Sequence, residues 1–296
     1  MTPTSILNST PSTRAITPPI KAMILAAGRG ERMRPLTDNT PKPLLKVRGK
    51  PLMQWSMEAL VRGGFAELVV NTAWLGAQIE AQFSDVFELP PAFNPSELPR
   101  DALIKTSSLT IRYSHEGQDF GSALETAGGI ARALPLLCSA DNTSQSEDVF
   151  WVLAGDVFAP DFVFSQAAVD RFIASDKLAH LWLVPNPAHN LKGDFGLSKA
   201  TGLALNLAPD DPQPRYTYST LGLYRRALFE PPYSDIPAGN PQGIKAPLAP
   251  LLRRAMDNGR VSAELYLGSW TDVGTPERLQ QLNASIAALP NLIRHP

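Results

Sequence analysis

At 296 residues, 44% of them apolar and 19% charged, the chain has an ordinary globular composition and enough length to bury a substantial core. Its formal net charge of −1 excludes bulk binding to nucleic acid or to an anionic membrane surface, and no apolar run approaches the ~18 residues of a membrane helix. The single cysteine, Cys138, excludes an intramolecular disulfide, agrees with a cytoplasmic location, and reads as a small buried apolar residue.

Residues 1–20 are rich in Thr, Ser and Pro and lack the basic start and apolar core of a secretory signal, so they read as a disordered leader outside the chemistry. The first structured run, residues 22–27, is uniformly apolar, as in a strand buried on both faces. It ends in Gly28-Arg29-Gly30, where two glycines bring the backbone within reach of a ligand and peptide N–H groups can cradle a polyphosphate. Arg29, Arg32 and Arg34 follow at once, and Lys42 stands between Pro41 and Pro43, which restrict the backbone that aims its ammonium. This is not a P-loop, which needs Gly-x-x-x-x-Gly-Lys-Ser/Thr, nor a dinucleotide fingerprint, whose third glycine is replaced by Met33. A phosphate cradle with a fixed lysine points to phosphoryl or nucleotidyl transfer.

Further along, residues 51–63 show helical apolar spacing, residues 67–71 a buried strand and residues 74–83 a second helix. Such alternation predicts a mainly parallel sheet covered on both faces, with ligands beyond the carboxyl ends of the strands. Gly28 and Asn71 fall there; Asn71 either touches a nucleotide or caps its strand. Residues 87–108 contain a Pro-rich surface insertion, and residues 109–114 form a short strand leading to Glu116. A glycine-containing turn around Thr126, Gly128 and Gly129 opens a helix over residues 130–137; its backbone groups could read the edge of a base. Residues 139–148 form a polar loop, and the strand at residues 149–153 delivers Gly155-Asp156, an aspartate placed to bind a hard cation beside a triphosphate.

Another strand occupies residues 180–184, and Gly193-Asp194 lies in a turn. Residues 216–224 alternate more than a buried parallel strand should, which predicts antiparallel pairing. Residues 244–252 lead into an amphipathic helix that ends at Asn258-Gly259. Lys245 either pairs with an anionic substrate or is solvated. Thr275 caps a last helix with Pro276 in its first position, an arrangement that leaves Asp272 unexplained.

Leu25-Ala26-Ala27-Gly28-x-Gly30-x-Arg32-Met33-x-Pro35-Leu36-Thr37, followed by Pro41-Lys42-Pro43-Leu44, resembles the signature of sugar-1-phosphate nucleotidylyltransferases. Asn186-Pro187-x-x-Asn190 with Gly193-Asp194-Phe195-x-Leu197 resembles the acceptor-sugar side of that superfamily, and Trp270-x-Asp272-x-Gly274-Thr275-Pro276-Glu277 its closing motif. The resemblance covers residues 21 to about 283 and implies an α/β, Rossmann-like (GT-A-like) mixed sheet with an antiparallel sugar-binding extension. It implies one domain over residues 21–290, with a nucleotide half to about residue 157 and a sugar half beyond. The implied partners are a nucleoside triphosphate and a sugar 1-phosphate, joined by in-line attack on the α-phosphorus. Ala27, Gly28, Gly30, Glu31, Arg32, Lys42, Glu116, Thr126 and Gly128 would face the nucleotide, with Arg32 and Lys42 catalytic. Ala154, Asp194 and Lys245 would face the sugar, and Asp156 and Asp272 would hold Mg²⁺.

Within the superfamily, Glu31, Asn71-x-Ala73-Trp74-Leu75-Gly76 and Leu251-Leu252-Arg253-x-Ala255-Met256 with Gly259-x-Val261-Ser262 resemble the branch that couples UTP to N-acetylmuramate α-1-phosphate in peptidoglycan recycling. Ala127, Ala154 and Thr220 depart from the pattern expected in the base and sugar regions. Mannose-1-phosphate guanylyltransferases and glucose-1-phosphate thymidylyl- or uridylyltransferases are the alternatives, as is a regulatory subunit that binds sugar nucleotides without turnover; retention of Arg32, Lys42, Asp156 and Asp272 counts against the last.

Overall fold

The computed structural model describes residues 19–89, 107–138 and 148–284. Most of the leader (residues 1–18), the bulk of the insertion (90–106) and most of the polar loop (139–147) lie outside the described residues.

In the first part of the chain β1 (Lys21–Leu25) is followed by a small hairpin, β2 (Lys46–Val47) and β3 (Lys50–Pro51), then α1 (Leu52–Arg62), β4 (Glu67–Thr72), α2 (Gly76–Phe83) and β5 (Val86–Glu88). Next come β6 (Ser108–His115), α3 (Glu116–Phe120), α4 (Glu125–Leu137), β7 (Val149–Ala154), β8 (Val157–Phe158) and α5 (Gln166–Ile173). The remainder holds β9 (Ala179–Val184), β10 (Phe195–Ser198), β11 (Leu203–Leu205), β12 (Arg215–Arg225), α6 (Ala249–Asp257), β13 (Val261–Leu265), β14 (Thr271–Asp272) and α7 (Pro276–Ala284).

Ten of these strands form one sheet in the order β10-β11-β13-β9-β12-β7-β1-β4-β6-β5. The pairs β7–β1, β1–β4 and β4–β6 are parallel, whereas β12 runs antiparallel between β9 and β7. The sheet is therefore mixed, and the antiparallel strand expected from the alternation at residues 216–224 is an interior member of it. β10 and β11 add an antiparallel flap on the first half of β12.

Side chains alternate across the sheet, as the strand period of two requires. Ala22 and Ile24 enter one core with Val149, Trp151 and Leu153, while Met23 enters the opposite core with Phe150 and Val152. Trp151 is fully buried, stacked on Trp182 at 5.0 Å and edge-on to Phe164 at 5.0 Å. Cys138 lies in the second core, where burial pushes its thiol up to about 12, so it supplies no thiolate.

One boundary differs from the sequence expectation. α4 begins at Glu125, so Gly128 and Gly129 lie inside the helix instead of in a turn before it. Tertiary contacts override their poor helix propensity. The Ala246 carbonyl accepts from Ala127 N (2.9 Å) and Gly128 N (3.1 Å), capping the helix start. A Cβ on Gly128 would stand 2.4 Å from the Ile244 oxygen, and one on Gly129 2.5 Å from Glu116 Oε1, so both positions need glycine for close approach.

The packing around β7 makes Trp151 the anchor of the strand that carries Asp156. Trp151→Ala should cost about 4 kcal/mol of stability, measured as a lower urea midpoint with an unchanged slope.

Candidate active site

The register of the sheet places Leu25 opposite both Ala154 and Asn71, so β1, β4 and β7 end level with one another. Their carboxyl ends form the floor of an open cleft of about 840 Å³. This is the edge at which doubly wound sheets bind ligands.

One wall is the loop after β1. Ala27, Gly28, Gly30, Glu31 and Arg32 all line the cleft. The two glycines are there for different reasons. Gly30 has φ +69 and a Cβ there would meet Thr37 Cγ2 at 3.1 Å, so it serves the turn. At Gly28 nothing lies within 4 Å of where a Cβ would stand, and the missing side chain leaves the space to a ligand. The arginines divide in the same way. Arg29 pairs with Glu31 at 2.6 Å and covers Trp74, and Arg34 pairs with Asp38 at 2.7 Å. Among the described residues Arg32 has no ion-pair partner, and it faces the cleft.

Lys42 begins a short turn of 3₁₀ helix after Pro41 and is 8% exposed. Its Nζ donates to Asp156 Oδ2 across the cleft floor. Gly155 lets this happen: its N–H donates to the Leu25 carbonyl at 2.9 Å, and a Cβ would press on that oxygen. Asp156 then leads into β8, which pairs with β14 so that Val157 faces Asp272. Val273 N donates to the Asp156 carbonyl at 2.9 Å, holding the two aspartate-bearing segments side by side. Asp272 Oδ2 accepts from Arg278 Nη1 at 2.9 Å and lies 3.3 Å from His189 Nε2. Its Oδ1 is buried and has no hydrogen-bond partner among the described residues. A hard cation is the group such an oxygen suits, so Asp272 fits a divalent metal; Asp156 lines the cleft with Oδ2 on Lys42, whereas Asp272 is outside its lining.

The base-side candidates separate. Thr126 lines the cleft, but Gly128 does not; it packs on residues 244–246. Glu116 reaches the cleft wall with both oxygens taken: Oε1 accepts from Asn71 Nδ2 at 2.6 Å and Oε2 from Leu124 N at 2.7 Å. Asn71 in turn accepts from Ala26 N at 2.8 Å. Asn71 and Glu116 therefore form a buried bracket that ties the loop after β1 to the start of α4. Burial pushes the Glu116 carboxyl above the usual carboxylate range, against the pull of these donors.

On the sugar side, Ala154 and Asp194 line the cleft. Asp194 Oδ2 accepts from Tyr218 N at 2.8 Å, and Asn190 Nδ2 stands 3.3 Å from each carboxylate oxygen. Thr220 projects there from a β-bulge in β12, with φ +63. Lys245 is exposed and lies outside the cleft lining.

Three residues of the site gain no role from the sequence: Tyr218, Arg253 and Arg278. Tyr218 lines the cleft from β12, and Arg253, although it stands in the motif of the muramate branch, lines it from α6, where nothing in the amphipathic pattern marks which polar residue will do so. Arg278 carried a signal, because a cation in the first turn of a helix opposes the dipole and implies an anionic partner.

A family model described as Nucleotidyl transferase matches residues 21–288. An N-acetylmuramate alpha-1-phosphate uridylyltransferase from Neisseria meningitidis is 41% identical over 270 residues, covering 91% of this chain and 99% of that protein. A protein of the same name from Caulobacter vibrioides is 29% identical over 273 residues, covering 90% and 96%. Among solved structures, a Bacillus anthracis protein assigned as a glucose-1-phosphate thymidylyltransferase, in complex with sucrose, shares the fold with a TM-score of 0.61. That match has 18% identity and covers 90% of this chain and 94% of the other. The paired carboxyl ends of β1 and β7, the glycine loop and the full-length likeness agree: the chain belongs to the nucleotidyl transferase family, as a sugar-1-phosphate nucleotidyltransferase.

Proposed function

We propose that this chain is a uridylyltransferase that joins UTP to N-acetylmuramate α-1-phosphate, giving UDP-N-acetylmuramate and pyrophosphate in cytoplasmic cell-wall recycling. The observation that carries the reading is the likeness to the Neisseria meningitidis uridylyltransferase over nearly the whole of both chains. In the reaction an oxygen of the sugar phosphate forms a bond to the α-phosphorus of the triphosphate, and the bond to the bridging oxygen breaks in line, releasing pyrophosphate. No covalent intermediate on the protein is needed.

Each part of the cleft has a role in that displacement. Gly28 and Gly30 open the loop to the triphosphate, and peptide N–H groups there donate to phosphate oxygens. Arg32, free of an internal anion, takes one phosphate, and Lys42 offsets charge that builds up near the floor. Asp156 and Asp272 would hold Mg²⁺, which when bound supplies positive charge to the phosphate oxygens. Thr126 faces the uracil, while Glu116 acts through Asn71 on the phosphate loop. Asp194, with its oxygens on Tyr218 N and Asn190, accepts from sugar hydroxyls. Catalysis is then mostly alignment and electrostatic stabilisation.

Two substitutions separate these roles. Lys42→Met should lower kcat about 100-fold or more while circular dichroism shows an intact fold. Gly28→Ala adds a Cβ with nothing within 4 Å, so it should raise the KM for the triphosphate about tenfold with little change in thermal stability. The reading itself is tested by pyrophosphate release across a grid of nucleoside triphosphates and sugar 1-phosphates with Mg²⁺ present. Release confined to UTP with N-acetylmuramate α-1-phosphate supports it. Release with GTP and mannose 1-phosphate, or with glucose 1-phosphate, would replace the substrates and keep the mechanism. Silence from folded protein would favour a non-catalytic sugar-nucleotide-binding subunit.

A further inference from the structure

We propose that Arg253 selects an acidic sugar, by pairing its guanidinium with the lactyl carboxylate that distinguishes N-acetylmuramate from N-acetylglucosamine. The inference rests on the muramate reading above. Three cationic side chains line the cleft: Arg32, Lys42 and Arg253. Arg32 stands on the phosphate loop and Lys42 is engaged by Asp156, so the phosphate end accounts for both. Arg253 comes from α6, next to Asp194 and Phe195 and away from the phosphate loop in sequence and in the fold.

Its environment leaves its charge unanswered. The guanidinium lies over the Phe195 ring at 5.1 Å, Nη1 donates to Asn206 Oδ1 at 2.7 Å, and Nη2 stands 3.5 Å from the Asp194 carbonyl oxygen. All of these partners are neutral. Among the described residues no carboxylate lies within 4.0 Å of it, whereas Arg29, Arg34, Arg132, Arg226 and Arg278 each have one. A half-buried guanidinium placed over an aromatic ring, with donors to spare and no anion, suits a carboxylate from outside. There is also room beside it. Arg253 is shared between the main cleft and a smaller depression lined by residues 206–209 and Arg215. Arg253 therefore stands where a substituent on a sugar held near Asp194 would meet it.

The ring position matters for the argument. The two sugars share their acetamido and phosphate groups and differ at O3, a free hydroxyl in N-acetylglucosamine and the lactyl ether in N-acetylmuramate. The carboxylate at the end of that ether is the charge that separates them, and a neutral sugar would leave the guanidinium as it stands now. Arg215 is a second cation on the smaller depression, where it donates to the Ala208 carbonyl, and Arg253 is the one that also lines the main cleft. Arg253 therefore contributes a difference in binding between the two sugars.

The test compares wild type, Arg253→Gln and Arg253→Lys with UTP, on N-acetylmuramate α-1-phosphate and on N-acetylglucosamine α-1-phosphate. For a sugar that is bound and not turned over, its Ki against the other takes the place of KM. The ratio of acidic to neutral kcat/KM should fall about 10- to 100-fold in the Gln variant, the worth of one charge-assisted hydrogen bond. The loss should appear in the KM of the acidic sugar, and the Lys variant should recover part of it. Parallel losses on both sugars, or an unchanged ratio, would overturn the inference and leave Arg253 as a strut for Asn206 and the Asp194 loop. A wild-type enzyme that ignores N-acetylmuramate α-1-phosphate would instead overturn the reading beneath it, a result the variants are not needed to see.

Discussion

Lys42 and Asp156 are 114 positions apart in the chain, and their contact sets the geometry of the cleft. A lysine with 8% exposure is rarely stable without a partner. Once it is paired, three separate facts are bound to one another: the direction of the proline-flanked turn at residues 41–43, the end of β7, and the level at which β1 stops. The contact is possible because Gly155 has no side chain to hold β7 away from Leu25. The pair is better understood as a registration device with a chemical use than as a source of stability, since the desolvation of both charges offsets much of their attraction.

A second layer keeps the loop above that floor in place. The chain of hydrogen bonds from Ala26 N through Asn71 and Glu116 to Leu124 N joins β1, β4, α3 and the start of α4. It continues through the Leu124 carbonyl, which accepts from Ala246 N, and the Ala246 carbonyl, which caps α4. Asn240, fully buried, closes it by donating to the Gly128 and Ile244 carbonyls. Every polar group in this relay is satisfied by another member, so it specifies one arrangement of loop and helix. The loop after β1 and the start of α4 are thereby joined, and the strap at residues 240–248 belongs to the site although most of it does not line the cleft.

Much of this was legible in the residues. Uniform apolar runs at residues 22–27 and 149–153 identify the two strands at the centre of the sheet, because only strands covered on both faces lack polar alternation. Gly28, Arg32, Lys42, Asp156 and Asp272 stand in motifs whose spacing is short enough to be read locally. What was hidden depends on contacts distant in sequence. Nothing near Glu116 in the sequence shows that Asn71 and Leu124 each donate to one of its oxygens. Gly128 looks like a base-reading turn until the 244–246 backbone is found against it. Arg253 stands in a motif that gives it no role, and only the packing of α6 beside Phe195 turns it toward the cleft. Lys245, prominent in the sequence, faces solvent at the rim.

The pairing of β8 with β14 has a consequence for how the protein is made. It joins Asp156 to a segment more than a hundred residues later, and Arg278, in the following helix, completes the surroundings of Asp272. β1, β4 and β6 can pair while the ribosome is still reading the second half of the chain, but β7, its neighbour β12 and the Lys42–Asp156 contact must wait for residues 149–225. Asp156 and Asp272 cannot be brought side by side until residues 271–278 have emerged, so the cleft reaches its final arrangement only when nearly the whole described chain has been made.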